Sequence, residues 1–307
     1  VEKKILCIVN PNASKGHGNR YEQKIEESFA LYSIKVEFAH TEYRDHAIEL
    51  TMKGIEQGFD TIVACGGDGT VNEVVNGIMR SGRRAKLGII PLGRGNDFAW
   101  SAGIPKRLEK AVELIARGES HFCDIGLLKG GAFPEGRYFA NGAGLGFEAL
   151  INSRASSFRH INGMPSYFLA LLENLIVLPK PYELSLDIDG REVNVTSQQL
   201  SLSGGRRMGS AFILGPRAEL CDGFLDLSYA NRRVRHLELL GLIFAFLRGR
   251  QLELELMEYT RCRKVTIRSN NIGMAVQADG EEIGNAVECL SVEIIPAAIE
   301  LFYTIIV

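Results

Sequence analysis

Asp68 stands at the centre of Gly66-Gly67-Asp68-Gly69-Thr70, between a β-branched apolar run starting at Thr61 and a helical pattern over residues 71–78. Glycines let the backbone approach a ligand closely, and the first free N–H groups of a following helix favour a phosphate at its start. A carboxylate repels phosphates unless a divalent cation such as Mg2+ lies between, or unless it takes a proton from an attacking hydroxyl. The loop therefore points to phosphoryl transfer. A plain strand-to-helix turn, in which Asp68 or Thr70 caps the helix, is the other reading open here. The theme recurs in Pro91-Leu92-Gly93-Arg94-Gly95-Asn96-Asp97-Phe98-Ala99, a glycine loop after a strand at 87–90, with Asn96 and Asp97 as cap-type residues at a helix start. Asp124, on a short strand at 123–126, is a third loop-side carboxylate. Asp68, Asp97 and Asp124 could converge on one cation, or each could be an ordinary surface Asp.

These loops need a scaffold that presents them together. Residues 5–9 form a β-branched strand that ends at Asn10-Pro11-Asn12-Ala13-Ser14-Lys15-Gly16-His17-Gly18, and a helix pattern runs from about 20 to 31. Lys15 and Arg20 could reach a phosphate from this second polar loop, or stand as surface cations. A strand at 34–39 ends at Thr41, and a helix follows at 45–57. Successive βα units predict a parallel sheet with right-handed crossovers, whose ligands bind beyond the carboxyl ends of the strands. All of these loops lie at that edge. A further helix is predicted from 105 to about 117.

From about residue 128 alternation prevails. Strands are predicted at 138–141, 182–188, 193–195, 198–203, 224–230, 264–268, 274–278 and 291–295, with a hairpin turn at Asp189-Gly190. Helices at 167–178 and 234–247 interrupt them. The expected fold is thus α/β + β: an α/β domain over residues 1–128, joined by a C-terminal strand at about 297–307, and a β-sandwich with inserted helices over 129–296.

At 307 residues, 46% hydrophobic and 23% charged, the chain can bury a large core, and an ordered globular protein is expected rather than a disordered one. Its 35 basic and 37 acidic side chains leave a net charge of −2, so no global field draws it to nucleic acid or to an anionic membrane, and any polyanion contact must be local. The six cysteines, Cys7, Cys65, Cys123, Cys221, Cys262 and Cys289, form no CxxC pair. Buried free thiols in a reducing cytoplasm are expected rather than a disulfide or zinc framework. No signal peptide is recognised before Val1-Glu2-Lys3-Lys4, and a start without Met suggests a trimmed chain. The apolar stretches at 167–178 and 237–247 are too short to span a bilayer, so a soluble protein with apolar surfaces is expected.

Taken together, Asn10-Pro11 with Gly16, the Gly66 to Thr70 loop with Asn72, Glu73, Asn76 and Gly77, the Pro91 to Ala99 loop, and Asp279-Gly280-Glu281 resemble the diacylglycerol kinase catalytic family. Within it the chain looks most similar to bacterial diacylglycerol kinases and sphingosine-kinase-like lipid kinases. Phe139-Ala140-Asn141-Gly142-Ala143-Gly144-Leu145-Gly146-Phe147 and the segment 215–226 fit too, so the resemblance runs nearly end to end. The Gly-Gly-Asp-Gly-Thr element alone is shared with NAD kinases and, more distantly, phosphofructokinases.

The resemblance implies an NAD kinase/diacylglycerol kinase-like architecture with ATP in a cleft between the domains. Its phosphates would lie over Gly66, Gly67, Asp68, Gly69, Thr70, Val71, Asn72 and Glu73, helped by Asn10, Pro11, Asn12, Thr41, Gly93 and Asn96. Lys15 and Arg20 match positive residues near the phosphates. Asp68, Asp97 and Asp124 match a water-mediated Mg2+ network, and Asp279 and Glu281 match the general base, on what would otherwise be a polar hairpin turn. Asp222, with the carbonyls of Glu219 and Phe224, matches a structural cation site; a simple Asp-Gly turn competes. Arg94 departs from the usual Thr or Ser, and would either bind a phosphate or crowd the usual pose. Arg206, Arg207 and Arg217 would suit an anionic lipid surface or an ordinary solvated turn.

The activity this implies is ATP- and Mg2+-dependent phosphorylation of a hydroxyl of a membrane lipid, diacylglycerol or a related lipid alcohol. The enzyme would be cytoplasmic and peripheral at the membrane surface, with a homodimer left open. The rivals are an NAD-kinase-like enzyme of a soluble substrate, and a catalytically silent lipid- or nucleotide-binding module that Arg94 would favour.

Overall fold

The structure, a computed structural model, describes residues 4–11, 18–151 and 180–304. The helix predicted at 167–178 lies outside them, as do Asn12 and Lys15. The chain divides into two compact units, Val1–Ile125 with Ala297–Val307, and Gly126–Pro296.

In the first unit, β-branched apolar runs become strands buried on both faces, β1 (Ile5–Val9), β3 (Thr61–Gly66) and β4 (Lys86–Pro91), with β2 (Val36–His40) at the edge. They pair in parallel in the order β2-β1-β3-β4. The connecting helices are α1 (Gly18–Ala30), α2 (His46–Glu56) and α3 (Asp68–Ser81). After β4 come the short α4 (Asp97–Ser101) and α5 (Leu108–Arg117), and the end of β16 (Cys289–Leu301) pairs in parallel with β4.

β5 (His121–Gly130) leads into the second unit, where it pairs with β6 (Phe133–Phe139). That unit contains a six-stranded antiparallel sheet in the order β12-β11-β10-β7-β14-β15. Its strands are β7 (Gly142–Gly146), β10 (Gln199–Ser203), β11 (Leu225–Ala230), β12 (Met257–Cys262), β14 (Met274–Ala278) and β15 (Glu281–Val287). A second antiparallel layer runs from the first part of β16 through β13 (Lys264–Ser269) and β8 (Tyr182–Ile188) to β9 (Arg191–Ser197). Leu145, Leu200, Leu202 and Leu227 of the first sheet share a core with Leu184, Leu186, Ile267 and Val292 of the second, which makes the unit a sandwich. Helix α6 (His236–Arg248) buries Leu239, Leu242 and Phe246 in a separate cluster with Phe147, Leu256 and Met257.

Three expectations change. Gly-Ala-Gly-Leu-Gly at 142–146, where alternation predicts no strand, is a fully buried central strand, because its neighbours need the space that side chains would take. Strands β12 and β15 carry enough exposed polar residues to hide their pattern. The strand predicted at 291–295 and the start of the one predicted at about 297–307 are a single strand, β16, which ends at Leu301, although Pro296 reads as a breaker. Ala297, at φ 50°, donates its N–H to Asp124 Oδ1 at 2.8 Å where the strand leaves the second unit for the first. All six cysteines are free; Cys7, Cys65, Cys123 and Cys262 are buried, whereas Cys221 and Cys289 are exposed.

Candidate active site

Parallel register brings the ends of β1, β3 and β4 level: Val9 lies opposite Cys65, and Cys65 opposite Ile90. The backbone then ties the following residues together. Asn10 N–H donates to the Cys65 carbonyl (3.3 Å), Thr41 N–H to that of Val9 (3.0 Å) and Leu92 N–H to that of Gly66 (2.8 Å). The two glycine segments touch. A Cβ on Gly67 would lie 3.1 Å from Gly93 Cα, and one on Gly93 would lie 2.7 Å from Asn96 Oδ1, so glycine is required at the junction. Asn96, at φ 51°, clamps the second segment: Gly93 N–H donates to its Oδ1 and its Nδ2 donates to the Gly93 carbonyl, both at 2.9 Å. Its amide thus shapes the loop. Arg94 is exposed.

The loop predicted at 66–70 is shorter than expected. Gly67 is the N-cap and helix α3 starts at Asp68, so Gly69, Thr70 and Val71 are already helical. Asp68 does not cap its own helix. Its Oδ1 accepts the N–H groups of Asp97 (2.6 Å) and Phe98 (3.2 Å), so it satisfies the first donors of α4. Glu73 does the same for α2, its Oε2 accepting Ala47 N–H at 3.0 Å. Asn72 is buried and accepts from Asn76 Nδ2 through both its carbonyl (2.9 Å) and its Oδ1 (3.1 Å). Through these bonds Asn72 and Glu73, the residues expected over the phosphates, hold helices. Arg20 lies in the first turn of α1.

Asp97 and Asp124 are buried. Among the described residues no group of three or more His, Cys, Asp or Glu is gathered to hold a metal ion, so Asp68, Asp97 and Asp124 do not converge as a direct cage. Asp68 is joined to the Asp97 backbone, while Asp124 is tied to Ala297. The donor chemistry still suits Mg2+, which keeps several waters and takes one or two carboxylates together with phosphate oxygens. At the structural cation site expected at Glu219, Asp222 and Phe224, a guanidinium lies beside the carboxylate. Arg261 pairs with Asp222 and lies 4.5 Å from the Phe224 ring centroid, Asp222 Oδ1 accepts Phe224 N–H at 3.0 Å, and Glu219 is exposed.

In the second unit the Asp279-Gly280 turn, with φ 47° and 84°, joins β14 to β15. Asp279 accepts three backbone N–H groups, from Ala140 (2.7 Å) on Oδ2 and from Asn141 and Gly142 (2.9 Å each) on Oδ1. Through these bonds Asp279, expected beside Glu281 as the base, anchors the entry to β7. Glu281 is different. Its Oε2 lies 2.8 Å from Nη2 of Arg137, a residue of β6 only 1% exposed whose guanidinium also sits 5.4 Å from the Phe133 ring centroid.

Sequence reasoning missed Arg137. A lone Arg in Phe-Pro-Glu-Gly-Arg-Tyr-Phe reads as a surface residue, and only its inward place in the pleat marks it. It also missed Glu148. Ser201 Oγ (2.7 Å), Gln199 Nε2 (3.3 Å) and Gln277 Nε2 all donate to the Glu148 carboxylate. Burial pushes this carboxyl from 4.5 up to about 7, against the lowering effect of its donors. The folded protein therefore holds the proton more tightly than the unfolded chain between pH 4.5 and 7, and stability falls as pH rises through that window. Glu148→Gln is expected to abolish this fall, leaving stability at pH 5 unchanged and raising it at pH 8 by ~1–3 kcal/mol in thermal or denaturant unfolding.

A parallel α/β unit with joined glycine segments at its strand ends, followed by a β-sandwich bearing an Asp-Gly-Glu turn, has the build of a phosphate-handling kinase. The diacylglycerol kinase catalytic domain matches residues 4–128, and the YegS C-terminal NAD kinase beta sandwich-like domain matches residues 142–303. The chain belongs to the diacylglycerol kinase catalytic family. It is 32% identical over 237 residues to a diacylglycerol kinase of Mycobacterium tuberculosis, covering 76% of this chain and 74% of that one. It is 28% identical over 281 residues to a diacylglycerol kinase of Bacillus subtilis, covering 91% and 90%. A crystal structure of a diacylglycerol kinase from Bacillus anthracis superposes with a TM-score of 0.76 over 99% of this chain and 97% of that one at 21% identity, which shows the shared fold.

Proposed function

We propose that the protein is an ATP- and Mg2+-dependent lipid kinase that transfers the γ-phosphoryl group to a hydroxyl of a membrane lipid, with diacylglycerol as the first acceptor to test. The observation that carries this reading is the junction of Gly67 with Gly93 at the start of α3, with Asp68 beside it. N–H groups at that helix start, together with the Asn10-Pro11 turn, Thr41 and the exposed Arg94, would seat the phosphates. Lys15 and Arg20 are the further cations for that role. Asp68, Asp97 and Asp124 are the oxygen donors that would hold Mg2+ through water, and the ion when bound supplies charge neutralisation at the phosphates.

An alcohol is a poor nucleophile at neutral pH. The Glu281 carboxylate would accept the hydroxyl proton as the new O–P bond forms and the bond to the ADP oxygen breaks. Arg137 orients that carboxylate, and Asp279 holds the turn that carries it. The names of the relatives support a lipid acceptor. Labelled ATP offered with diacylglycerol, sphingosine-type and other lipid alcohols in mixed micelles tests it: labelled lipid supports the proposal, and label on NAD with none on lipid reverses it.

Among the described residues no helix is long and apolar enough to cross a membrane; the contact with lipid in this proposal is peripheral. Helix α6 offers a surface for it. Leu240, Phe244 and Leu247, exposed by 47%, 57% and 40%, share one helical face beside the exposed Arg235 and Arg248. An apolar stripe rimmed by arginines complements an anionic bilayer. Arg206 and Arg217, considered for this contact above, are partly engaged: Arg206 Nη2 donates to the Pro216 carbonyl (3.1 Å), and Arg217 lies 5.1 Å from the Tyr259 ring centroid. Phe244→Glu is expected to lower co-sedimentation with phosphatidylglycerol vesicles by tenfold or more while secondary structure is retained. Unchanged vesicle binding, with loss of a dimer instead, would assign the stripe to a second copy of the chain.

A further inference from the structure

Glu148 has no part in the phosphoryl transfer described above, yet its carboxylate is connected to the turn that bears Glu281. Space for it comes from strand β7: a Cβ on Gly144 would lie 2.7 Å from Glu148 Oε1. On β14, Gln277 uses both ends of its amide. Its Nε2 donates to Glu148 Oε1 and lies 3.1 Å from Met208 Sδ, while its Oε1 accepts the N–H of Gly280 at 2.8 Å. Reversing that amide would put its oxygen against a carboxylate and its NH2 group against the Gly280 N–H, and neither contact is a hydrogen bond. The carboxylate therefore decides which way Gln277 faces, and hence whether Gly280 has its acceptor.

We infer that Glu148 is a positioning residue for the Asp279-Gly280-Glu281 turn, acting through the orientation of the Gln277 amide. The inference rests on Glu281 as the base for its kinetic consequence, and on the hydrogen bonds alone for its structural one. Asp279 fixes the first residue of the turn to the start of β7 and Arg137 engages the third; Gln277 supplies the hold on the middle one. Deprotonation of Glu148 strengthens the acceptor that orients Gln277, so the Gly280 N–H should report the ionisation of a carboxyl two hydrogen bonds away. The side chains that donate to Glu148 are Ser201 and Gln199 of β10 and Gln277 of β14, all neutral. The titratable and charged groups at the turn are Asp279, Glu281, Arg137 facing Glu281, and the exposed Glu282 opposite Gln277 on β15.

The test needs no substrate in its first arm. In the full chain, the Gly280 amide resonance followed from pH 5.5 to 8.5 is expected to shift with a midpoint near 7 in the wild type and to stay flat in Glu148→Gln, which separates Glu148 from Asp279 and Glu281. A Gly280 resonance that does not move, or that moves equally in Glu148→Gln, overturns the inference. This arm holds even if no lipid is phosphorylated, an outcome that would sink the proposed function and leave the positioning role standing. In the second arm, for a wild type that phosphorylates lipid, Glu148→Leu and Gln277→Leu are each expected to lower kcat more than tenfold with KM for ATP within twofold. Glu148→Gln, which can still accept from Gln277, should recover kcat to within threefold of the wild type at pH 8. Wild-type kcat in both Leu variants overturns the role in positioning the base.

Discussion

Asp68→Asn is expected to give a folded protein that has lost phosphoryl transfer. The amide oxygen of Asn can still accept the N–H groups of Asp97 and Phe98, so the start of α4 keeps its cap. What disappears is the negative charge beside the proposed phosphate seat. Charge stabilisation at a metal-assisted phosphoryl centre is worth several kcal/mol, so kcat/KM should fall by on the order of 10²–10³-fold with a nearly unchanged Tm. Asp68→Ala removes the cap as well and should lose about 1 kcal/mol of stability in addition. The pair separates two functions of one carboxylate. Turnover by Asp68→Asn within tenfold of the wild type would leave Asp68 as a cap and nothing more.

The second large effect is expected at Glu281 and Arg137. Glu281→Gln removes the proton acceptor and should cost about 10²–10⁴-fold in kcat. Arg137→Met should behave differently. It strands a partly buried carboxylate and empties a deeply buried site of its guanidinium, which is expected to cost ~3 kcal/mol or more of stability as well as activity. In the double variant Arg137→Met with Glu281→Gln no unpaired charge remains. Stability is expected to return by more than half of that loss, while transfer stays absent. Denaturant unfolding and single-turnover assays on the four proteins make the cycle. If the Met variant is as stable as the wild type, the pair does not orient Glu281.

Much of the first unit was legible because it is written in contiguous residues. The β-branched runs at 5–9 and 61–66 leave no doubt about buried parallel strands, and two glycine segments that each follow such a strand must reach the same edge. Turn chemistry was equally local: Asp189-Gly190 and Asp279-Gly280 both adopt positive φ, as their residue types require. Strand β7 was hidden because glycine signals a turn by type, and nothing in 142–146 says that the space will be filled by Glu148 and by the strands on either side.

The sequence by itself determined that two glycine segments would lie at the ends of parallel strands, and that an alternating second half would form the sandwich carrying the Asp-Gly-Glu turn. Only the tertiary structure decided what each carboxylate does. Asp68 caps a helix 29 residues further on, Asp279 holds backbone up to 139 residues away, Glu281 meets Arg137, and Glu148 reaches the turn through Gln277. Residue type and spacing fix local backbone preference, because helices and turns close within a few residues. The partner of a charged group is whatever the folded chain brings within hydrogen-bonding distance of it, and no local pattern encodes that.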